Sequence, residues 1–460
     1  MNPTEPRAAS WKKSVYTMVL GDDRRGYVMH NSVTGHALDL NARQHEALRG
    51  LLDRISGSLR GTDLDLLEQL ARAGFVVPAD LDEECQQHER FRAHQRSTER
   101  LYLTIAPTMA CNLRCTYCFQ QEMARSGAMP PKIQAGVVDL VRARLRADTR
   151  LVVVQWFGGE PLLALGTIRS LTRRLRQVCD QAGAHYTAEM LTNGTLMTPE
   201  FIEELPQLRL AALQIPLDGS AATYARRKQV PIGRAERFYQ SLVTAVPDIL
   251  AAVGSLTIRI NIDRDNAEAG REVVDLFHAA GAVDERIDFR LGFLNTQRGV
   301  IDCIPHDCLS PPEFAATERE FQSYLAAKGY RVYGRLAQRE HPCIVPLRNA
   351  FTIDPTGRIG KCVPAMGTED TAFSRIRHDA PETTLREIDR THPFADFDPF
   401  TSDTCAGCPL LPACLGSCPK SHLPGRQVVC PHGRLADRHG GDLEDKVRMF
   451  AALPAVRPPR

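Results

Sequence analysis

The feature that most narrows the fold is a rhythm. From Leu101 to Phe293, apolar runs of strand length alternate with longer stretches of helical period. The runs are Leu101–Ile105, Leu151–Trp156, a strand ending at Leu191, Leu213–Leu217, Leu256–Ile262 and Ile287–Phe293. Between the first two, Ile133, Val137, Leu140, Val141 and Leu145 fall on one helical face. A helix is expected near 167–181, and Thr198-Pro199 reads as the start of another. Ser310 with Glu313 caps a last one, with Phe314, Phe321 and Leu325 facing inward. Leu151–Trp156 carries the near-continuous apolar run of a strand buried on both faces. Six strand–helix units predict an α/β fold with a parallel sheet, a partial (β/α)6 TIM-type barrel. Such barrels place their chemistry at the C-terminal ends of the strands, so the segments just after each run are the ones to inspect.

The flanks read differently. Over residues 12–80, Val15–Leu20 and Tyr27–Leu40 are expected as hairpin strands with Thr34-Gly35 near a turn. Asn41 and Gln44 form a capping box for a helix carrying Leu48, Leu51, Leu52 and Ile55 on one face. Thr62 caps a second helix, with Leu64, Leu67 and Leu70, which stops at Gly74 before Phe75-Val76-Val77. Residues 1–80 are thus expected as a winged-helix-like domain and 81–99, almost all polar, as a solvated linker helix. The barrel takes 100–335. Gly, Pro and Cys dominate a further domain over 336–440, where apolar periodicity fades and metal clusters would supply stability. Residues 441–460 form a tail.

Charge excludes some functions. The formal net charge is +2, so nothing electrostatic points to nucleic acid or to an anionic membrane. No apolar stretch approaches a membrane span, and the N-terminus lacks a signal-peptide core. A cytoplasmic location follows as the expectation. The 14 cysteines are clustered at short spacings without an export signal, which favours metal or iron–sulfur ligation over disulfides.

The first cluster is Cys111, Cys115 and Cys118, directly after the first barrel strand. Three thiolates on one loop can hold three irons of a 4Fe–4S cluster and leave the fourth open. Zinc loops usually pair two Cys-x2-Cys units instead. The Cys-x3-Cys-x2-Cys loop, with Tyr117 before the last cysteine, resembles the radical S-adenosylmethionine (SAM) superfamily. That resemblance implies that the methionine amino and carboxylate groups chelate the open iron, and that one electron then releases a 5′-deoxyadenosyl radical. Trp156-Phe157-Gly158-Gly159-Glu160-Pro161, at the second strand end, matches the family's amino-group motif, with Gly158, Gly159 and Glu160 suited to a cationic group. Thr192-Asn193-Gly194 ends the third strand, where Asn193 would reach ribose or carboxylate; a plain Asn-Gly turn reads nearly as well. In Gln214-Ile215-Pro216-Leu217-Asp218-Gly219, Pro216 stands where related enzymes often have serine. Arg259 and Asn261 share one side of the fifth strand, facing the cofactor or satisfying barrel polar groups.

The C-terminal third carries Cys343, Gly357, Cys362, Cys405, Cys408, Cys414, Cys418 and Cys430. This pattern resembles the SPASM extension of peptide- and protein-modifying radical enzymes. The resemblance implies two auxiliary 4Fe–4S clusters, three clusters in all. Cys405, Cys408, Cys414 and Cys430 would hold the outer one, and Cys343, Cys362 and Cys418 the inner one, whose fourth ligand stays open. Cys85, Cys179, Cys303 and Cys308 read as unligated.

The layout resembles ribosomal-peptide maturases with an N-terminal precursor-recognition element. It implies a precursor peptide whose leader adds as a strand to the N-terminal domain, a flavodoxin or ferredoxin-type reductant, and an oxidative product such as a C–C or thioether crosslink. The competing expectations are a sulfatase-type maturase that makes formylglycine and a non-catalytic iron–sulfur electron carrier.

Overall fold

The computed structural model describes residues 10–55, 62–120, 127–294, 308–333, 336–340, 343–367 and 372–423, with 425, 428, 430, 443–445 and 447–449 beyond them. Cys303 lies outside the described residues. The chain forms two compact units. One combines 1–95, 334–343 and 396–460; the other combines 96–333 and 344–395.

The larger unit holds the rhythm read from the sequence. Its strands are β6 (Arg100–Ile105), β7 (Leu151–Trp156), β8 (His185–Leu191), β9 (Leu210–Pro216), β10 (Ser255–Ile262) and β11 (Ile287–Phe293). These six pair in parallel with their sequence neighbours, in the order of a partial TIM-type barrel. Helices α4 (Pro131–Arg144), α5 (Leu165–Ala182), α6 (Pro199–Glu204), α7 (Ala221–Lys228), α8 (Ile232–Ala252), α9 (Ala269–Ala279) and α10 (Pro311–Ala327) follow or separate them. Val152, Val154, Trp156, Ile258, Ile260 and Phe289 are wholly buried in one continuous core with Leu171, Leu175 and Val273 from the helices. Cys179 of α5 sits in that core as a small hydrophobe. Ser310 and Glu313 make the expected capping box of α10.

Three strands from the cysteine-rich third were not expected from the sequence. β12 (Ala350–Ile353), from the cysteine-rich third, pairs in parallel with β6, and β13 (Arg358–Gly360) and β14 (Ser374–Arg375) continue the sheet antiparallel. Asn349 anchors this addition, donating to the Arg100 carbonyl at 3.0 Å while its own carbonyl accepts from Arg144 at 2.7 Å. Helix α11 (Pro381–Thr391) covers it beside α4.

The smaller unit pairs β1 (Trp11–Lys13) with β5 (Val76–Pro78) and forms a separate three-stranded antiparallel sheet of β2 (Thr17–Asp22), β3 (Gly26–Asn31) and β4 (Ala37–Leu40). The long run expected from Tyr27 to Leu40 is thus two strands. Its break is made by Asn31, whose side-chain oxygen accepts from the Val33 and Thr34 amides, and by Gly35 at φ +74°. Helices α1 (Ala42–Arg54) and α2 (Thr62–Arg72) pack Leu48, Leu51, Ile55, Leu67 and Leu70 against Met29 and Leu40. The Asn41–Gln44 capping box is present, whereas Leu64 points out to solvent. Helix α3 (Glu83–Arg96) is not solvated all round. Glu83 accepts from Ser14 Oγ and the Val15 amide, His88 meets Asp398 at 2.6 Å, and Phe91 packs on Phe397 and Phe400. Its polar residues hid a buried face made of hydrogen bonds and one ring. Helix α12 (Leu411–Cys414) lies in the same unit, and Leu410, Leu443 and Val447 pack on Met18 and Val28 of the sheet.

Candidate functional site

The site is built where β6 and β7 end. The backbone after β7 runs against the backbone after β6: Phe157 donates to the Ile105 carbonyl at 3.0 Å, Gly159 to Thr108 at 3.2 Å and Glu160 to Ala110 at 2.8 Å. Glycine is required for this approach. A Cβ on Gly158, at φ +128°, would stand 2.2 Å from the Thr108 carbonyl oxygen, and one on Gly159 2.2 Å from that of Ala110. The Gly-Gly pair therefore docks the cysteine loop onto the second strand end, a role beyond admitting a ligand.

Glu160 is fully buried. One carboxylate oxygen accepts from the Leu162 amide at 3.0 Å and from Thr192 Oγ1 at 2.7 Å; the other accepts from the Asn193 amide at 2.7 Å. Burial raises its pKa against the pull of those three donors. The carboxylate thereby fixes the third strand end against the second. Asn193 continues the chain of contacts: its side-chain Nδ2 donates to Asn112 Oδ1 at 2.8 Å, and Thr195, which donates to Asn193 Oδ1, accepts from Asn112 Nδ2 at 2.9 Å. Asn112, inside the cysteine loop, was not singled out from the sequence. Only its place between two cysteines could have marked it.

The far side of the loop rests on α7. The Thr116 amide donates to the Arg227 carbonyl at 2.9 Å and the Arg114 amide to that of Lys228 at 3.4 Å. Below it lies a buried ionic network that sequence reading missed. Lys228 Nζ is 2.6 Å from Asp218 Oδ2 and also donates to the Tyr117 hydroxyl, which in turn donates to Asp218. Burial opposes charge on Lys228, but the Asp218 carboxylate overrides it and holds the ammonium well above its ordinary pKa. Arg227, 4% exposed, bonds Asp263 at 2.6 Å and lies over the Tyr117 ring. Asn261 donates to the Tyr117 hydroxyl at 3.2 Å and accepts from Arg259 at 2.9 Å, so the two residues do share one side of β10. Gly292 in β11 makes room for them, since a Cβ there would lie 2.3 Å from Asn261 Oδ1. Pro216 closes β9, and the Leu217 amide beyond it donates to the Arg259 carbonyl.

No disulfide joins any of the described cysteines. Burial raises the Cys111 thiol, and Glu160 and Cys118 add to it; burial raises Cys115 too, with Lys228 opposing and Cys111 adding. Soft thiols from one loop suit an iron–sulfur cluster. In the smaller unit, burial pushes the Cys414 thiol up to about 11, with Cys430, Cys405 and Cys408 adding to the rise. Cys343 and Cys418 belong to the same unit, and Cys362 to the barrel unit. Among the described residues, no three His, Cys, Asp or Glu side chains gather as holding a metal ion would require.

Residues 105–246 match the Radical SAM superfamily. Among curated relatives, the GTP 3′,8-cyclase of Chlorobaculum tepidum is 32% identical over 166 residues, 35% of this chain and 44% of that protein. The chain covers less than half the length of the curated relatives it matches. Two solved structures share the fold. Streptococcus suis SuiB bound to precursor peptide SuiA has a TM-score of 0.51 at 15% identity, covering 92% of this chain and 99% of that one. Native anSMEcpe with bound AdoMet and Cp18Cys peptide has a TM-score of 0.51 at 17% identity, covering 69% and 89%. The reading as a non-catalytic electron carrier falls with the superfamily match. Residues 105–246 thus form a radical SAM domain, the domain of an enzyme superfamily, which implies S-adenosylmethionine and a 4Fe–4S cluster.

Proposed function

We propose that this enzyme is a maturase of ribosomally made peptides, which removes a hydrogen from a residue of the precursor and leaves a crosslink or another oxidised product. The observation that carries this reading is the three-stranded sheet of the smaller unit. Its outer strands, β2 and β4, have no further strand partner among the described residues, and a leader segment could pair with such an edge through main-chain hydrogen bonds. The fold likeness to SuiB, solved with its precursor peptide, extends over 92% of the chain and supports the same reading.

In this proposal Cys111, Cys115 and Cys118 hold the first cluster, and Tyr117, Gly158, Gly159, Glu160, Asn193, Arg259 and Asn261 surround the cofactor. Cluster and cofactor together supply one-electron cleavage and hydrogen-atom abstraction. The protein's own work is positioning. Glu160 holds Thr192 and Asn193, Asn193 steadies Asn112 in the cysteine loop, and the Asp218–Lys228 pair anchors Tyr117. Cys405, Cys408, Cys414 and Cys430 are assigned to an auxiliary cluster, with Cys343, Cys362 and Cys418 as the ligands expected of another. A flavodoxin or ferredoxin-type protein delivers the electron, in a cytoplasm where thiols stay reduced.

The second reading is a formylglycine-forming maturase, favoured by the likeness to anSMEcpe. Both are tested by incubating the reconstituted full chain with S-adenosylmethionine, dithionite and whichever short precursor peptide is found encoded beside its gene. The maturase reading expects 5′-deoxyadenosine and a peptide lighter by two hydrogens that does not react with a hydrazide. A hydrazide-reactive aldehyde would instead establish formylglycine, and an unmodified peptide would refute both.

A further inference from the structure

Beside the site just described, and sharing Thr195 with it, a pocket of about 240 Å³ opens between α6 and α8. Met197, Ile202 and Phe238 are among its lining residues, together with Gly194 and Thr195. Arg234 and Arg237 also line it. Both are exposed, and neither has a carboxylate partner among the described residues. Two guanidinium groups without a carboxylate partner among the described residues, beside apolar side chains of one pocket, suit a single ligand with two parts, an anion and an apolar body. A dry cavity of about 150 Å³ admits benzene, so this one has room for a ring plus a short chain ending in a carboxylate. Arginine is suited to such a group because its planar fork matches a carboxylate's two oxygens.

The location adds a second constraint. Thr195 is also the residue that bonds Asn193 and Asn112. A chain end seated in the pocket therefore lies beside the third strand end, next to the residues that steady the cysteine loop.

We propose that this pocket binds the C-terminal residue of the peptide substrate, with its apolar side chain against Ile202 and Phe238 and its α-carboxylate between Arg234 and Arg237. The assignment rests on the maturase reading above. It supplies that reading with a second anchor, at the end of the peptide opposite the leader.

Isothermal titration of the full chain tests it with three probes: N-acetyl-Gly-Gly-Phe, its C-terminal amide, and 3-phenylpropionate. The acid tripeptide should bind at least about tenfold tighter than the amide, the scale of one charge-assisted hydrogen bond lost. The R234Q/R237Q double variant, changed only at exposed side chains and checked for native circular dichroism, should lose that preference. Equal binding of acid and amide overturns the proposal, as does a preference that survives in the double variant, or no binding of any probe at millimolar concentration. Binding of 3-phenylpropionate without the tripeptide overturns the assignment to a peptide terminus. None of these titrations involves turnover, so their failure is distinguishable from failure of the maturase reading, which is judged by the mass of the product.

Discussion

Lys228 and Asp218 form an ion pair 2.6 Å long in which neither side chain is more than 1% exposed. Tyr117, from the cysteine loop, is hydrogen-bonded to both. Removing one partner from such a pair leaves a buried charge uncompensated. Asp218→Asn should therefore destabilise the barrel unit by about 3–5 kcal/mol, read by urea unfolding. Lys228→Met should cost a similar amount, and pairing it with Asp218→Leu should recover much of the loss, because two apolar groups leave no charge stranded.

Two glycines of the same unit predict opposite outcomes. Gly159→Ala drives a Cβ into the Ala110 carbonyl at 2.2 Å, so the cysteine loop must move. Reconstituted iron should fall by about four atoms per chain, the content of one cubane cluster, with a stability loss of roughly 1–3 kcal/mol. Gly166, in the first turn of α5, has nothing within 4 Å of such a Cβ. Gly166→Ala should keep its iron and gain about 0.5–1 kcal/mol from helix propensity.

The cysteine sets separate by what they remove. Replacing Cys111, Cys115 and Cys118 together with Ala should abolish 5′-deoxyadenosine formation and lower iron by about four per chain. Replacing Cys405, Cys408 and Cys414 should lower iron by a similar amount while S-adenosylmethionine still binds. Iron near four per chain in the unaltered protein would refute the two auxiliary clusters.

His392, directly after α11, supplies a pH dependence. Burial, with the Lys361 charge adding to it, lowers its pKa to about 4, and its Nδ1 accepts from the Phe394 amide at 3.0 Å. Unfolded, the ring takes up its proton near about 6.5. Between those values the unfolded chain binds more protons, so stability is fully present above about 6.5 and falls as pH drops toward 4. From pH 7 to pH 5 the loss from this residue should be about 2 kcal/mol at most. Unfolding of His392→Gln at both pH values should show a correspondingly smaller difference.

The barrel was legible because its strands are dense in apolar residues and each is bounded by turn chemistry. Leu151–Trp156 and Ile287–Phe293 match their expected limits residue for residue. The cysteines and the Gly-Gly-Glu turn were legible because their chemistry depends on short-range spacing. β12 was not, since a four-residue strand among prolines and glycines carries too little pattern, and its partner β6 lies some 250 residues earlier. The Asp218–Lys228 network was missed for a related reason. A lysine at the end of a short basic helix reads as solvated, and only the docking of the cysteine loop onto α7 encloses it. α3 shows the same error, because Glu83, Gln87 and Gln95 are buried by hydrogen bonds that composition does not reveal.

The sheet that carries the proposed leader edge is closed on one face by Leu410, Leu443 and Val447, and Arg448 donates to the Gly26 carbonyl at 2.7 Å. During synthesis that face must wait. At ribosomal rates the roughly four hundred residues between Val28 and Val447 take about 20–80 s to emerge, while Met18 and Val28 lack their cover. The barrel strands can pair in the order in which they appear, so the chain completes its first-made sheet last. A truncation at either end therefore damages the same small unit, and the removal of residues 1–95 would also strip the C-terminal segment of the surface on which it folds.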